Sequence, residues 1–158
     1  MHHSNGANAP MTKAETFQYE TDTMLMLGDL FGWRVQKTTE YARMDGIISN
    51  ADGDMLFVYE FKCRDLSLDE LNKMGSFLLT YEKITDGCHA ARVLGVPFIL
   101  VAYLRKSENI VVYRIANDNG DLLFAFDVNR TTTRANIYGG IVERYNAFLP
   151  VSDMKVVK

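Results

Sequence analysis

The chain has 158 residues, a length that fits one folded domain, and its 47% apolar and 23% charged residues are ordinary for a globular protein. The net charge of −3 argues against a protein that coats nucleic acid through bulk positive charge, because such proteins are basic. The longest apolar runs, such as residues 98–104, are too short to cross a bilayer. No secretory signal is visible and two cysteines do not make a disulfide framework, so we expect an intracellular, cytoplasmic protein without a membrane partner.

The first half of the chain predicts a helix followed by three strands. Residues 1–11 are small, polar and aperiodic, which is typical of a flexible leader, and we expect a single domain over residues 12–158. Thr12 and Glu15 have the spacing of a capping box, and apolar residues then recur at helical intervals until Gly32 ends the helix. Strands are predicted at residues 33–36, 44–49 and 55–63, with an Asp-Gly hairpin turn before the third.

The second half of the chain predicts another helix and further strands. Ser67 and Glu70 repeat the capping-box spacing and open a helix through about residue 83, which Asp86 and Gly87 interrupt before a short helical turn at 88–94. Residues 98–104 are almost wholly apolar, as in a strand that is covered on both faces. Further strands are predicted at 110–115 and 122–128, and a short terminal helix at 141–148. This order predicts a mixed α/β fold with one central sheet.

Two carboxylates and a lysine meet on the predicted hairpin. Glu60 and Lys62 are two residues apart, so their side chains leave the same face of one strand, and Asp45 can approach Glu60 from the neighbouring strand. Adjacent carboxylates repel each other unless a cation neutralises them, and hard oxygen ligands suit Mg²⁺ or Mn²⁺. Lys62 beside such a cation can orient water or stabilise charge on a phosphate. The alternative interpretation is an exposed strand with cross-strand ion pairs.

Asp45 and the run Glu60-Phe61-Lys62 resemble the motif of the PD-(D/E)xK nuclease superfamily. The resemblance covers residues 12–104 and implies an αβββαβ restriction-endonuclease-like core with a central mixed sheet. Met44 stands where the superfamily has its eponymous proline, which has no chemical role. Members of the superfamily often carry a further acidic residue on the first helix; Glu20 fits that place, and Glu15 is the alternative.

The resemblance implies a metal-dependent deoxyribonuclease, a phosphodiester hydrolase of the endonuclease type that uses Mg²⁺, with Mn²⁺ as an alternative cation. Asp45, Glu60, Glu20 and the carbonyl oxygen of Phe61 would bind the metal, and Lys62 would assist the water or the phosphate. The sequence does not separate endonuclease, exonuclease and junction resolvase, or DNA and RNA. The alternative function is a catalytically inactive nuclease-fold module that binds DNA or a DNA-processing partner. We also expect a homodimer, with residues 122–148 as a candidate surface.

Basic and polar side chains around this site are candidates for contacts with the phosphates of DNA. Each has an alternative as an ordinary solvated surface residue. The candidates are Lys37, Arg43, Arg64 and Lys73, with Arg34, Ser76 and the polar stretch 131–134, predicted to be a loop, as further members.

Overall fold

The computed structural model describes residues 11–39, 42–134 and 141–158. Apart from Met11, the predicted leader lies outside the described residues. In chain order the elements are α1 (Lys13–Phe31), β1 (Arg34–Lys37), β2 (Gly46–Ser49), β3 (Met55–Arg64), α2 (Leu68–Met74), β4 (Ser76–Thr80), α3 (Tyr81–Leu94), β5 (Phe98–Leu104), β6 (Asn109–Ala116), β7 (Asp127–Arg134), β8 (Ile141–Pro150), a 3₁₀ turn (Val151–Asp153) and β9 (Met154–Val156). No helix within the described ranges is long and apolar enough to span a membrane.

Local sequence signals determine the first half of the fold as predicted. The Thr12 side chain accepts from the Glu15 amide at 3.1 Å, and the Glu15 carboxylate accepts from the Thr12 amide at 3.2 Å, so the capping box that starts α1 is confirmed. Gly32 ends the helix in the left-handed conformation, with φ of 70°. β1, β2 and β3 then form an antiparallel meander at one edge of the main sheet.

The main sheet has six strands in the order β1-β2-β3-β5-β6-β9. β3 and β5 are parallel, and every other neighbouring pair is antiparallel, so the predicted central mixed sheet is confirmed. One face packs against α1, where Tyr59 and Phe61 join Met24 and Leu27 in a buried apolar cluster. The other face packs against α3, where Val58 and Leu100 lie in the larger of two clusters.

The predicted capping box of Ser67 and Glu70 is confirmed and opens α2, but the predicted extent of the helix to residue 83 is wrong, because Gly75 ends α2 in a left-handed conformation with φ of 84°. A short strand, β4, follows, and α3 begins only at Tyr81. The predicted interruption at Asp86 and Gly87 is also wrong, because α3 runs through both residues. Gly87 is there for packing: a Cβ at this position would lie 2.2 Å from the Phe98 ring.

The predicted terminal helix at 141–148 is wrong: these residues belong to β8, the central strand of a second sheet with the order β4-β8-β7. The strand predicted at 122–128 is largely wrong too, since β7 begins at Asp127 and Leu122 makes only an isolated bridge to Ala116. The stretch 131–134, predicted to be a loop, lies within β7. β8 owes its conformation to β4, a strand roughly seventy residues earlier in the chain, and strand formation depends strongly on such partners.

Candidate active site

Asp45 lies at the end of the β2–β3 hairpin, immediately before β2 rather than inside the strand as predicted. Its amide donates to the carbonyl of Tyr59 at 3.1 Å, and its Oδ2 accepts from the amide of Phe61 at 2.7 Å. The carboxylate therefore lies beside β3 at the place where a longer β2 would have continued the ladder. A backbone donor held at that distance fixes the orientation of the carboxylate.

Gly46 allows Tyr59 to pass close beneath β2. A Cβ at residue 46 would lie 2.4 Å from the Tyr59 ring and 2.6 Å from the carbonyl oxygen of Gln36, distances that no side chain tolerates. The Tyr59 ring is fully buried on the α1 side of the sheet. A glycine after Asp45 is thus required because the neighbouring strands β1 and β3 both approach residue 46 closely.

Glu60 and Lys62 share the face of β3 that packs against α3, as their spacing predicts. Glu60 is buried, with 1% of its surface exposed, and its Oε2 lies 2.8 Å from the Lys62 ammonium. Burial raises the pKa of Glu60; Lys62 opposes the rise, and the nearby negative charge of Asp45 adds to it. Asp45, Glu60 and Lys62 are therefore brought together, and the alternative of an exposed strand with surface ion pairs does not describe Glu60.

One oxygen of Glu60 has no partner. Among the described residues no donor lies within hydrogen-bonding reach of the buried Oε1 atom, while Oε2 has two ammonium groups near it. A buried carboxylate oxygen without a partner is costly, because it has lost water and gained no hydrogen bond. Such an atom calls for an explanation, and a bound cation is one of the few groups that would satisfy it.

Lys83 is a residue of this site that the sequence prediction missed. It lies in the first turn of α3, its ammonium is 3.7 Å from Glu60 Oε2, and it also donates to the carbonyl of Arg43 at 3.3 Å. The predicted helix ended near Lys83, so the lysine was not assigned to the start of the helix that covers the sheet. The signal that would have found it is the helix stop at Gly75.

Glu20 lies on the other side of β3, in the third turn of α1, and is buried. Its Oε1 is 2.8 Å from the Lys37 ammonium, and its Oε2 accepts from the Tyr59 hydroxyl at 3.1 Å. Burial and then the Glu20 charge raise the pKa of Tyr59, so the hydroxyl stays protonated and donates. Glu15, the alternative acid, is part of the helix cap.

Three carboxylates do not converge within the described parts of the chain: no group of three or more His, Cys, Asp or Glu side chains there is placed to hold an ion. Glu20 does line a cavity that Asp45 also lines. Its role as a metal ligand stays a prediction.

The carbonyl oxygen of Phe61 faces the side of β3 on which Asp45 lies. Tyr59 turns its carbonyl toward Asp45, and Phe61 turns its amide toward the same residue. Because backbone groups two residues apart on a strand face the same neighbour, the Phe61 carbonyl faces that side as well. A backbone oxygen is therefore available next to the carboxylate of Asp45.

The four predicted phosphate contacts lie in different surroundings. Lys37 is paired with Glu20, and Arg43 lies 3.1 Å from Asp86 with 81% of its side chain exposed.

Arg64 donates to the carbonyls of Cys63 and Leu78 and lies over the Phe77 ring, and burial lowers its pKa. Lys73 is exposed in the last turn of α2. Ser76, predicted on a helix, lies in β4. Lys37 and Arg43 thus lie beside the site residues Glu20 and Lys83, while Arg64 is engaged inside the fold.

No protein-family model matches this sequence, and no curated protein matches it. Among solved structures, the chain is similar to Hjc, a Holliday junction resolvase from the archaeal hyperthermophile Archaeoglobus fulgidus. The similarity covers 87% of this chain and 84% of that one, with a TM-score of 0.52 and 12% sequence identity. At that identity the likeness shows the fold, a mixed α/β arrangement like that of the resolvase.

Proposed function

We propose that this protein is a metal-dependent nuclease that hydrolyses phosphodiester bonds in DNA and acts as an endonuclease. The observation that carries the proposal is Glu60: a fully buried carboxylate, next to Asp45 and in contact with Lys62, with one oxygen that lacks a partner among the described residues. Burial of such a group costs free energy, and carboxylates perturbed by burial and by a charged partner cluster at functional sites.

The oxygen atoms at this place fit a divalent cation. Glu60 Oε1 is buried and unsatisfied, Asp45 has a carboxylate fixed by one backbone bond, and the Phe61 carbonyl faces the same opening. Mg²⁺ commonly uses one or two carboxylates and keeps several waters, so this donor set fits Mg²⁺. Mn²⁺ prefers the same carboxylate and carbonyl oxygens, so the set fits Mn²⁺ as well. When bound, the cation would polarise a phosphoryl oxygen and lower the pKa of a coordinated water.

The residues of the chain would divide the remaining work. Lys62 holds its ammonium next to Glu60 and would donate to the attacking water or to a nonbridging phosphate oxygen, where negative charge grows in the transition state. Lys83 places a second ammonium on the same side and would bind a neighbouring phosphate oxygen. Phe61 holds Asp45 in place through its amide, so one carboxylate is oriented before any substrate arrives. Glu20 would support this arrangement from the α1 side.

The choice of DNA as substrate rests on the fold and on the resemblance of the motif. The structurally similar protein is a Holliday junction resolvase, which makes DNA junctions the first branched substrate to test. A duplex has two strands to cut, so two active sites or two visits are required, and we propose that the protein acts as a homodimer.

A second candidate function is a module that binds DNA or a DNA-processing partner without cutting. It is favoured by one observation: within the described ranges no three carboxylates converge on one point. The two candidates differ in a single measurable outcome, cleavage.

The test uses purified protein with linear duplex, single-stranded, flap and four-way-junction DNA, in Mg²⁺, in Mn²⁺ and in EDTA. We expect cleavage that requires the cation. Lys62→Met should lower the rate about 10²–10³-fold, the usual loss when one charge-stabilising donor is removed. Asp45→Asn should act in the same direction through weaker cation binding.

The matched control is Lys155→Met, an exposed lysine in β9 at the opposite edge of the main sheet from β1. It should cut at the native rate and keep the native melting temperature. Lys62→Met and Asp45→Asn are assayed at a temperature at which circular dichroism shows them folded, because Lys62→Met leaves the buried Glu60 with one ammonium fewer. Cleavage that persists in EDTA, or a Lys62→Met variant as fast as the native protein, would show that the proposed site is wrong. Binding without cleavage on every substrate would favour the second candidate.

A further inference from the structure

A cavity of about 640 Å³ opens next to Asp45, and the described residues that line it include members of the N-terminal part of α1, the last residue of β1 and residues 38, 39 and 42. Asp45 and Glu20 lie on its wall, so it is continuous with the proposed metal site. We propose that this cavity binds a single nucleotide of the DNA strand, the one next to the bond that is cut. The proposal rests on the proposed function and adds a feature to it: the strand would have to present an unstacked nucleotide to be cut.

The wall of the cavity on the α1 side offers a surface for a base. Phe17 lines it with 56% of its surface exposed, and Ala14 lies one turn earlier in the helix. An exposed phenylalanine on a helix that buries Met24 and Leu27 against the sheet contributes little to the core. Nucleic-acid bases stack on such rings whatever their sequence, because every base has a π-face.

Donors for a phosphate lie directly beside the Phe17 ring. The Lys37 ammonium is 2.8 Å from Glu20 Oε1 and 4.3 Å from the centre of the Phe17 ring. The ion pair positions the ammonium, and the cation–π contact holds it against the ring. An ammonium has three donors, and Glu20 engages one of them. Thr16 and Thr39 add hydroxyl groups to the same lining.

The cavity and Asp45 are held in a fixed relation. The Thr38 amide donates to the Asp45 carbonyl at 2.9 Å, and the Thr38 hydroxyl donates to the carbonyl of Met44. These two bonds tie Thr38, a residue of the lining, to the backbone that carries the Asp45 carboxylate. A nucleotide whose base stacks on the exposed part of the Phe17 ring, and whose phosphate meets the Lys37 ammonium beside that ring, would place the adjoining phosphodiester toward Asp45.

The lining distinguishes a nucleotide from a free phosphate or an apolar ligand. One part of it is apolar, with an exposed aromatic ring, and the other part carries an ammonium and hydroxyls. A base needs the first and a phosphate needs the second. The volume lies within the range of pockets that enclose small molecules.

The experiment pairs protein variants with modified DNA. A labelled duplex with a single-stranded extension is cut by the native protein to locate the bond, and then each nucleotide around that bond is replaced in turn by an abasic residue. Binding is measured by fluorescence anisotropy in the Lys62→Met background with Mg²⁺, so that the strand stays intact. We expect one abasic position to weaken binding about tenfold, the scale of one lost base–aromatic stack.

In Phe17→Ala an abasic residue at the same position should no longer weaken binding, because the base there has no ring to stack on. Phe17→Tyr keeps the ring and should keep the tenfold penalty. Leu30→Ala is the matched control: Leu30 lies on the same helix and is 55% exposed, close to the 56% of Phe17, but it is not part of this lining. It should bind like the reference protein.

Abasic penalties that are identical in Phe17→Ala and the reference protein would overturn the proposed nucleotide site, and so would unchanged affinity of Phe17→Ala for intact DNA. Failure of the proposed function is a different result: the native protein would leave every substrate intact. In that case abasic residues are placed in turn along the whole single-stranded extension, and the coupling between Phe17 and one position is still read as a binding measurement. Cleavage without coupling would leave the nuclease proposal standing and remove only the nucleotide site.

Discussion

The two faces of β3 are built from alternate residues of one strand and have opposite characters. Toward α1, Tyr59, Phe61 and Cys63 are all buried in an apolar cluster. Toward α3, Val58 is followed by Glu60 and Lys62, which place a carboxylate and an ammonium under a helix. Successive residues of the strand therefore alternate between an apolar face and a face that carries charged side chains.

The two faces differ in what their buried side chains contribute to the free energy of unfolding. Burial of an apolar ring stabilises the folded state, whereas burial of a carboxylate costs free energy that nearby ammonium groups offset only in part. Apolar residues on both sides of the sheet must therefore offset the cost of the charged pair that β3 presents to α3. Substitutions on the two faces should consequently have opposite effects on the free energy of unfolding.

The largest expected effect is on the α1 face. Phe61→Ala should lower the free energy of unfolding by about 3–5 kcal/mol, because it removes a buried ring from a packed cluster and leaves a cavity. Urea denaturation followed by circular dichroism measures this loss. The Phe61 carbonyl is unchanged by the substitution, so any effect on cleavage at low temperature should follow the loss of folded protein.

Phe61→Leu is the matched control for this prediction. It keeps most of the apolar volume, so the loss should stay near or below about 1.5 kcal/mol. A Phe61→Ala loss below that of Phe61→Leu would contradict the assignment of this face to the core, and with it the contrast between the two faces.

The next effect is on the α3 face and concerns activity rather than stability. Lys83→Gln should slow cleavage about tenfold, or about 1.4 kcal/mol, by removing an ammonium that would bind a phosphate oxygen. The melting temperature should change little, since the Lys83 side chain is partly exposed. Initial rates on a labelled substrate, at saturating Mg²⁺, measure the effect.

Lys73→Gln is the informative comparison, because the sequence predicts a phosphate contact on the second helix at Lys73. In the structure the helix over the sheet is α3, and Lys83 rather than Lys73 reaches Glu60. A larger loss of rate for Lys73→Gln than for Lys83→Gln would reverse that assignment.

Local patterns predicted the part of the fold that carries the proposed site. The cap at Thr12, the stop at Gly32 and the alternation along β3 are each determined within a few residues, and so α1 and the hairpin were found. Glu60 and Lys62 were assigned to one face by spacing alone, and the structure confirms this. The spacing of Glu60 and Lys62 could not predict how deeply Glu60 is buried, because its burial depends on α3, which covers this face of the sheet.

The errors share a physical cause. β4 and β8 are strands because they pair with each other, from Ser76 with Pro150 to Thr80 with Asn146, and a partner so distant leaves no local signal. Residues 141–148 were therefore assigned as a helix, and Lys83 was separated from the sheet that it covers. Asp45 was predicted inside a strand for a related reason, because the end of β2 is determined by its register against Tyr59.

The smallest expected effect would test most directly whether Glu60 is kept for chemistry. Burial raises the pKa of Glu60 above its ordinary value, in spite of Lys62 and Lys83, so the protonated form is more favoured in the folded protein than in the unfolded chain. The stability of the native protein is therefore undiminished below the ordinary pKa and falls as the pH rises through the raised value. Glu60→Gln removes the titration, and in EDTA at about pH 8 it should raise the melting temperature by about 2–4 °C, equivalent to about 1 kcal/mol.

The gain should disappear toward about pH 4, where the native carboxyl also becomes protonated. Glu82→Gln, an exposed change on α3, is the matched control and should stay within about 0.5 kcal/mol of the native protein at both pH values. A Glu60→Gln variant that is less stable than the native protein at pH 8 would mean that the contacts with the two lysines outweigh the cost of burial. Glu60 would then be a structural ion pair, and both faces of β3 would serve the fold.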